Sequence, residues 1–208
     1  MQILVLDHPL AHHKLALLRD RRTPVILFRS LTEELGCMLA VEATRNLSTE
    51  AAEVETPLEK MRAQVLTQMD PALVPVLRAG LGLVPSFLKL LPTAKVGHIG
   101  MYRDHATLKP VPYYRNFPPM LAARAVYVLD PMLATGGSAS EAIQEVKDAG
   151  AKDITLVSVI AAPEGLARLE KDHPDLRIVV GAVDRELNER GYILPGLGDA
   201  GDRSFGTI

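Results

Sequence analysis

Apolar positions along the chain fall into two regimes. Before residue 70 they keep helical spacing: Leu27, Leu31, Leu35, Met38 and Leu39 recur at three- and four-residue steps behind Thr23-Pro24. The pattern predicts one long helix over 24–46, with Thr23 as N-cap and Pro24 at the first helical position. Ile3 to Leu6 predicts a strand or extended arm ending in the turn Asp7-His8-Pro9, and a second helix is expected over 58–69. From residue 72 short apolar runs alternate with helical segments. Strands are expected over 73–77, 96–102, 125–129, 154–160 and 178–183, a turn and helix over 80–91, and helices over 138–149 and 163–171. That alternation predicts an α/β fold with a central, mainly parallel sheet flanked by helices. Every residue from Ala125 to Leu129 is apolar, as a parallel strand covered on both faces requires.

Two segments stand outside this rhythm. Residues 104–119 carry four prolines and two tyrosines and read as an exposed hairpin or flap, serving either as a lid or in dimerisation. Residues 191–208 hold five glycines and show no helical period. Long irregular segments are disproportionately functional.

Composition removes several classes. A length of 208 residues suits one domain, here with an N-terminal helical arm over about 1–70 and a C-terminal tail over about 182–208 packed on the core. The single cysteine, Cys37, leaves no intrachain disulfide and no Cys-rich zinc site, and its place on the apolar stripe of the long helix predicts a core position in an intracellular protein. With 23 Lys and Arg against 25 Asp and Glu, the net charge of −2 lacks the basic footprint of a nucleic-acid binder. No apolar run approaches the ~18 residues of a membrane span. The N-terminus lacks the order of a secretory signal, so the sequon Asn46-Leu47-Ser48 is not expected to matter.

The most informative segment is Asp130-Pro131-Met132-Leu133-Ala134-Thr135-Gly136-Gly137-Ser138. A buried strand delivers an acid at its carboxyl end, a small-residue loop follows, and a helix begins at Ser138. Backbone N–H groups from Thr135 to Ser138 would converge at a helix N-terminus, where the dipole favours an anion. No lysine accompanies the glycines, which disfavours a nucleotide-binding P-loop. Gly196, Gly198 and Gly201 spell Gly-x-Gly-x-x-Gly, yet only seven residues follow, too few for a dinucleotide unit. Arg78, in Leu77-Arg78-Ala79-Gly80, and Arg103 each follow a predicted strand, so both belong at the sheet edge where α/β proteins bind ligands. His12, His13 and His98 read as surface or satisfied core residues rather than metal ligands.

The segment Asp130 to Ser138 resembles the phosphoribosyl-pyrophosphate (PRPP) loop of type I phosphoribosyltransferases. With Leu77-Arg78-Ala79-Gly80 and the tail Tyr192 to Thr207, the chain resembles the uracil phosphoribosyltransferase family over essentially its whole length. One acid precedes the loop where many phosphoribosyltransferases carry two. The resemblance implies the type I phosphoribosyltransferase fold with a flap and a C-terminal base-binding hood. It also implies transfer from PRPP to uracil, yielding UMP and pyrophosphate. In this reading Asp130 holds the ribose hydroxyls, Met132 to Ser138 cradle the 5′-phosphate, and Arg78 and Arg103 hold the departing pyrophosphate with Mg²⁺. Asp199 either binds a metal-coordinated water or takes the proton of uracil N1. Ile193, Gly198, Asp199 and Ala200 line the base pocket. A cytoplasmic homo-oligomer with GTP as effector and no nucleic-acid or membrane partner is implied as well. The alternatives are another base, or a PRPP-sensing regulator without catalysis. Orotate would need a cation for its carboxylate, and the tail offers only Arg203.

Overall fold

The computed structural model describes residues 1–67, 69–103 and 110–207, without the side chains of Met69 and Arg103. In chain order the elements are β1 (Gln2–Val5), α1 (Pro9–Arg19), α2 (Val25–Ala43), β2 (Thr49–Glu55), β3 (Lys60–Leu66), β4 (Met69–Leu77), α3 (Val84–Leu90), β5 (Lys95–Val96), β6 (His98–Arg103) and β7 (Pro110–Asn116). There follow β8 (Arg124–Leu129), β9 (Met132–Leu133), α4 (Gly137–Asp148), β10 (Asp153–Ala161), α5 (Pro163–Asp172), β11 (Arg177–Val183), β12 (Glu186–Leu187), β13 (Ile193–Leu194) and α6 (Ala200–Phe205).

The main sheet runs β1-β11-β10-β8-β4-β6-β7, with β5 on β4 and β9 on β10. All its pairings are parallel except β6 with β7. From β4 the chain crosses to β6 on one side, whereas from β8 it crosses to β10 and β11 on the other. The carboxyl ends of β4 and β8 therefore flank the switch point of the sheet, where open α/β folds form their ligand crevice.

Strand β8 is buried throughout and alternates between two cores. Ala125, Tyr127 and Leu129 face α1, α2 and α3, where Tyr127 meets Phe87 at a ring distance of 5.4 Å. Val126 and Val128 face α4 and α5. This two-sided burial is what the unbroken apolar run requires.

Five expectations in the N-terminal third and the tail need correction. The chain before residue 70 is not wholly helical, because Lys60–Leu66, inside the helix expected over 58–69, is β3, paired antiparallel with β2 from Thr49↔Leu66 to Glu55↔Lys60. Thr56 sets that register: its hydroxyl accepts from the Leu58 and Glu59 N–H groups at 3.1 and 3.0 Å, and Glu53 faces Arg62 across the ladder. Turn geometry and cross-strand charge outweigh the helix propensity of Lys-Met-Arg-Ala-Gln. The Asp7-His8-Pro9 turn opens a helix, α1, whose His8 side chain accepts from the Leu10 N–H at 3.1 Å. Thr23 does not cap α2; Pro24 holds that position, and the Thr23 hydroxyl donates to the Leu17 carbonyl at 2.6 Å. Cys37 is only half-buried, since it lies about 200° around α2 from the buried Leu35. The tail also contains a helix, α6, too short to show a period in sequence.

Candidate active site

Two adjoining cavities lie at the switch point. The first, of about 340 Å³, is lined by Arg78 and Ala79 after β4, Asp130 after β8, Met132 to Ser138, and Asp199 and Gly201 from the tail. The second, of about 230 Å³, is lined by Gly191, Tyr192, Ile193, Gly198, Asp199, Ala200 and Gly201. Ala79, Met132, Ala134, Asp199 and Gly201 border both. The common wall joins an anion cradle to a small apolar slot.

The cradle follows from its sequence. Gly136 caps α4 in the left-handed region at φ +75°, and a Cβ there would stand 2.9 Å from the Gly165 carbonyl oxygen of α5. A residue with a side chain is doubly disfavoured at that position. Gly136 has no side chain to cap the helix, and only a long bond of 3.4 Å from the Gly137 N–H to the Thr135 hydroxyl engages the first turn of α4, which leaves that turn open to an anion. Thr135 and Ser138 are exposed beside them. The first turn is anchored from behind: the Ser140 hydroxyl donates to Asp172 at 2.9 Å and lies 3.1 Å from the buried His173 ring.

Asp130 sits partly buried on the floor of the first cavity. Burial pushes its carboxyl up to about 6, against the lowering pull of the Met132 N–H at 3.3 Å. Such a group gains from any ligand that donates hydrogen bonds to its charged form. Arg78 is more than half exposed at the mouth, 3.2 Å from Asp202 and 5.8 Å from the Phe205 ring centre. Asp199 caps α6, its Oδ1 accepting from the Asp202 N–H at 2.9 Å. One of its oxygens is thus committed to the helix.

The second cavity offers main chain. Asn188 N–H donates to the Tyr192 carbonyl at 2.8 Å, so the neighbouring Leu187–Ile193 pair is the non-hydrogen-bonded kind. The N–H and C=O of Ile193 then point away from β12. Arg203 does not line this cavity. Its guanidinium donates to the carbonyls of Leu18, Leu197 and Asp20, each at 2.7 Å, and covers the Phe28 ring at 4.4 Å.

A family model, uracil phosphoribosyltransferase, matches residues 5–207. The chain belongs to the uracil phosphoribosyltransferase family. It is 55% identical to the uracil phosphoribosyltransferase of Thermus thermophilus, with full coverage of both chains. It is 53% identical to that of a Thermoanaerobacter species over 99% of this chain and 98% of the relative. The solved structure of the AQ2163 protein from Aquifex aeolicus superposes with a TM-score of 0.92 at 41% identity, covering 98% of each chain. A hypoxanthine-guanine phosphoribosyltransferase from Bacillus anthracis shares the fold alone, with a TM-score of 0.52 at 12% identity over 77% of this chain and 80% of that one.

Within this family member, the fold gathers Arg78, Asp130, Met132, Leu133, Ala134, Thr135, Gly136, Gly137, Ser138 and Asp199 around the first cavity. Ile193, Gly198, Asp199 and Ala200 meet around the second. Pro131 joins neither: it is buried, and its carbonyl accepts from the Val159 and Ile160 N–H groups at 3.1 Å. Arg103 ends β6 at the same sheet edge, with its side chain outside the described residues, as is 104–109 of the expected flap. Of the rest of that flap, Pro110–Asn116 is β7, antiparallel to β6. Sequence reasoning missed Ala79 and Gly201 as lining residues, although both stand inside the motifs that carried the reading. Among the described residues no helix is long and apolar enough to cross a membrane.

Proposed function

We propose that this chain transfers the phosphoribosyl group of PRPP to N1 of uracil, releasing UMP and pyrophosphate. The observation that carries the proposal is the wall common to the two cavities, formed by Ala79, Met132, Ala134, Asp199 and Gly201. A sugar held over Asp130 brings its anomeric carbon to that wall, between pyrophosphate on one side and base on the other. The bond from N1 to the anomeric carbon forms as the bond to pyrophosphate oxygen breaks.

Each part has a physical task. The N-terminal turn of α4 and the Thr135 and Ser138 hydroxyls take the 5′-phosphate. Asp130 accepts from the ribose hydroxyls, and its charge favours the cation developing at the anomeric carbon. Arg78 and Arg103 hold the leaving pyrophosphate, which departs poorly unless neutralised. Asp199, beside both cavities, takes the N1 proton or holds a metal-bound water. Ile193, Gly198 and Ala200 present main-chain groups to the pyrimidine edge.

Mg²⁺ belongs to the same reading. Among the described residues no cluster of three or more His, Cys, Asp or Glu is placed to hold a metal. Mg²⁺ is therefore expected on the oxygens of PRPP and its own waters, with Asp199, which lines the same cavity, reaching it through a water. Bound there, the ion neutralises charge on the leaving pyrophosphate. Self-association is proposed on apolar side chains exposed in the single chain, such as Ile26 and Leu58. A GTP effector and a cytoplasmic setting are carried by the family alone. Orotate is disfavoured because Arg203 spends its guanidinium on three carbonyls.

Incubation with PRPP, uracil and Mg²⁺ is expected to give UMP and pyrophosphate in equal amounts. A folded protein that forms neither contradicts the proposal.

A further inference from the structure

The base cavity is made of backbone, and backbone reads a ligand edge only if its curvature is fixed. That fixing comes from residues that never reach the cavity. Arg19, the last residue of α1, meets Asp184 fork to fork, with Nη1 to Oδ2 at 2.7 Å and Nη2 to Oδ1 at 2.5 Å. The Asp184 side chain is 4% exposed and that of Arg19 23%. The same Nη1 donates to the Gly196 carbonyl at 2.7 Å, and Asp184 Oδ2 accepts from the Gly196 N–H at 2.9 Å. One ion pair therefore holds both polar groups of one peptide residue.

Gly196 lies midway between Ile193 and Gly198, which line the cavity. It adopts φ +65°, and a Cβ there would stand 2.1 Å from the Ile193 carbonyl oxygen. Asp184 is itself anchored to the sheet, its N–H donating to the Ala161 carbonyl at 2.8 Å beyond β11. The position of Gly196 is thus referred to the main sheet and to α1 rather than to its own short strand.

A buried ion pair is weak evidence for stability, since desolvation can offset its Coulombic gain. What it supplies is geometry, because five planar donors and two carboxylate oxygens admit few arrangements. We propose that Arg19 and Asp184 are specificity-determining positioning residues: by clamping Gly196 they set the spacing of the Ile193 and Gly198 main chain against which the pyrimidine edge is read. This rests on the proposed uracil transfer.

Arg19→Lys keeps the charge but cannot serve both Asp184 oxygens and the Gly196 carbonyl at once. The expected result is a KM for uracil raised about tenfold or more, with KM for PRPP and inhibition by pyrophosphate within about twofold of wild type. Asp184→Asn keeps the shape and an acceptor for Gly196; it should show the same split in smaller measure, and it decides the matter if the lysine variant does not fold. A merely structural pair would lower thermal stability and move uracil and PRPP parameters together, or neither. Either of those outcomes in a folded variant overturns the inference. If wild type itself makes no UMP, the uracil reading fails; if wild type is active and both variants keep its uracil KM, only the clamp fails.

Discussion

The phosphate cradle and the base hood reach rigidity by opposite routes. The cradle is local: a fully buried strand, a loop of small residues and a helix, contiguous from Arg124 to Asp148. The hood, from Glu186 to Phe205, has strands of two residues and a helix of six. It is tied to the rest of the fold by Arg19 and Arg203, whose bonds to the Gly196, Leu18 and Asp20 carbonyls span 177 to 185 positions in sequence. A cradle for a common anion can be built from generic backbone dipoles, whereas recognition of one small planar ring has to be referenced to the rest of the fold.

The comparison breaks first at Asp130. Asp130→Asn should retain the fold and lower kcat/KM for PRPP by ~10²-fold or more, because a neutral amide cannot stabilise developing positive charge. Steady-state kinetics close to wild type would remove Asp130 from the chemistry. Gly196→Ala should damage the other half selectively. With φ +65° and a Cβ 2.1 Å from a carbonyl oxygen, the turn must open, and kcat/KM for uracil should fall by ~10²-fold while pyrophosphate inhibition stays within about twofold. Equal losses in both would show that the two regions are not separable.

Legibility in the sequence follows the same division. Strands β4, β8, β10 and β11 and helix α4 announce themselves because apolar runs, Gly and Asp sit in sequence where they sit in space. The hairpin β2–β3 did not, because Thr56 and cross-strand charge pairs fix it against the helix propensity of its own residues. Among site residues, Asp130 and Thr135 to Ser138 were visible as one motif. Arg19 and Asp184 were invisible, each an ordinary charge in its local setting, and their meaning arises only when α1 and β11 meet the tail. Arg203 stood out in the sequence as the cation of the tail, but no local pattern reveals that three carbonyls occupy it.

Two finer effects sharpen the contrast. Arg78→Lys should weaken pyrophosphate inhibition by about tenfold, because an ammonium replaces a two-oxygen fork with a point charge. Unchanged inhibition would place Arg78 outside the site. The pH profile should isolate Asp130. Its carboxyl is raised to about 6, and the ionised form is the working one, so kcat/KM for PRPP should fall as pH drops below about 6. The stability effect has the opposite sign: the folded form holds the proton more tightly than the unfolded chain, so stability falls as pH rises between about 4 and 6. Asp130→Asn, neutral throughout, should therefore be more stable than wild type at pH 8 by on the order of 1–3 kcal/mol. Thermal melts of the two proteins at pH 4 and pH 8 check this, and a variant no more stable at pH 8 than wild type would contradict it.

The central claim is that a backbone hood, fixed from behind, reads uracil while a separate cradle holds PRPP. It is tested most directly by competition: equimolar uracil and cytosine supplied with PRPP and Mg²⁺, and the nucleotide products resolved. Cytosine places acceptor against acceptor and donor against donor along the same edge, and buried mismatches of that kind support discrimination of ~10⁴-fold. The account predicts UMP with cytidine monophosphate at or below that trace level; comparable amounts of the two nucleotides would contradict it.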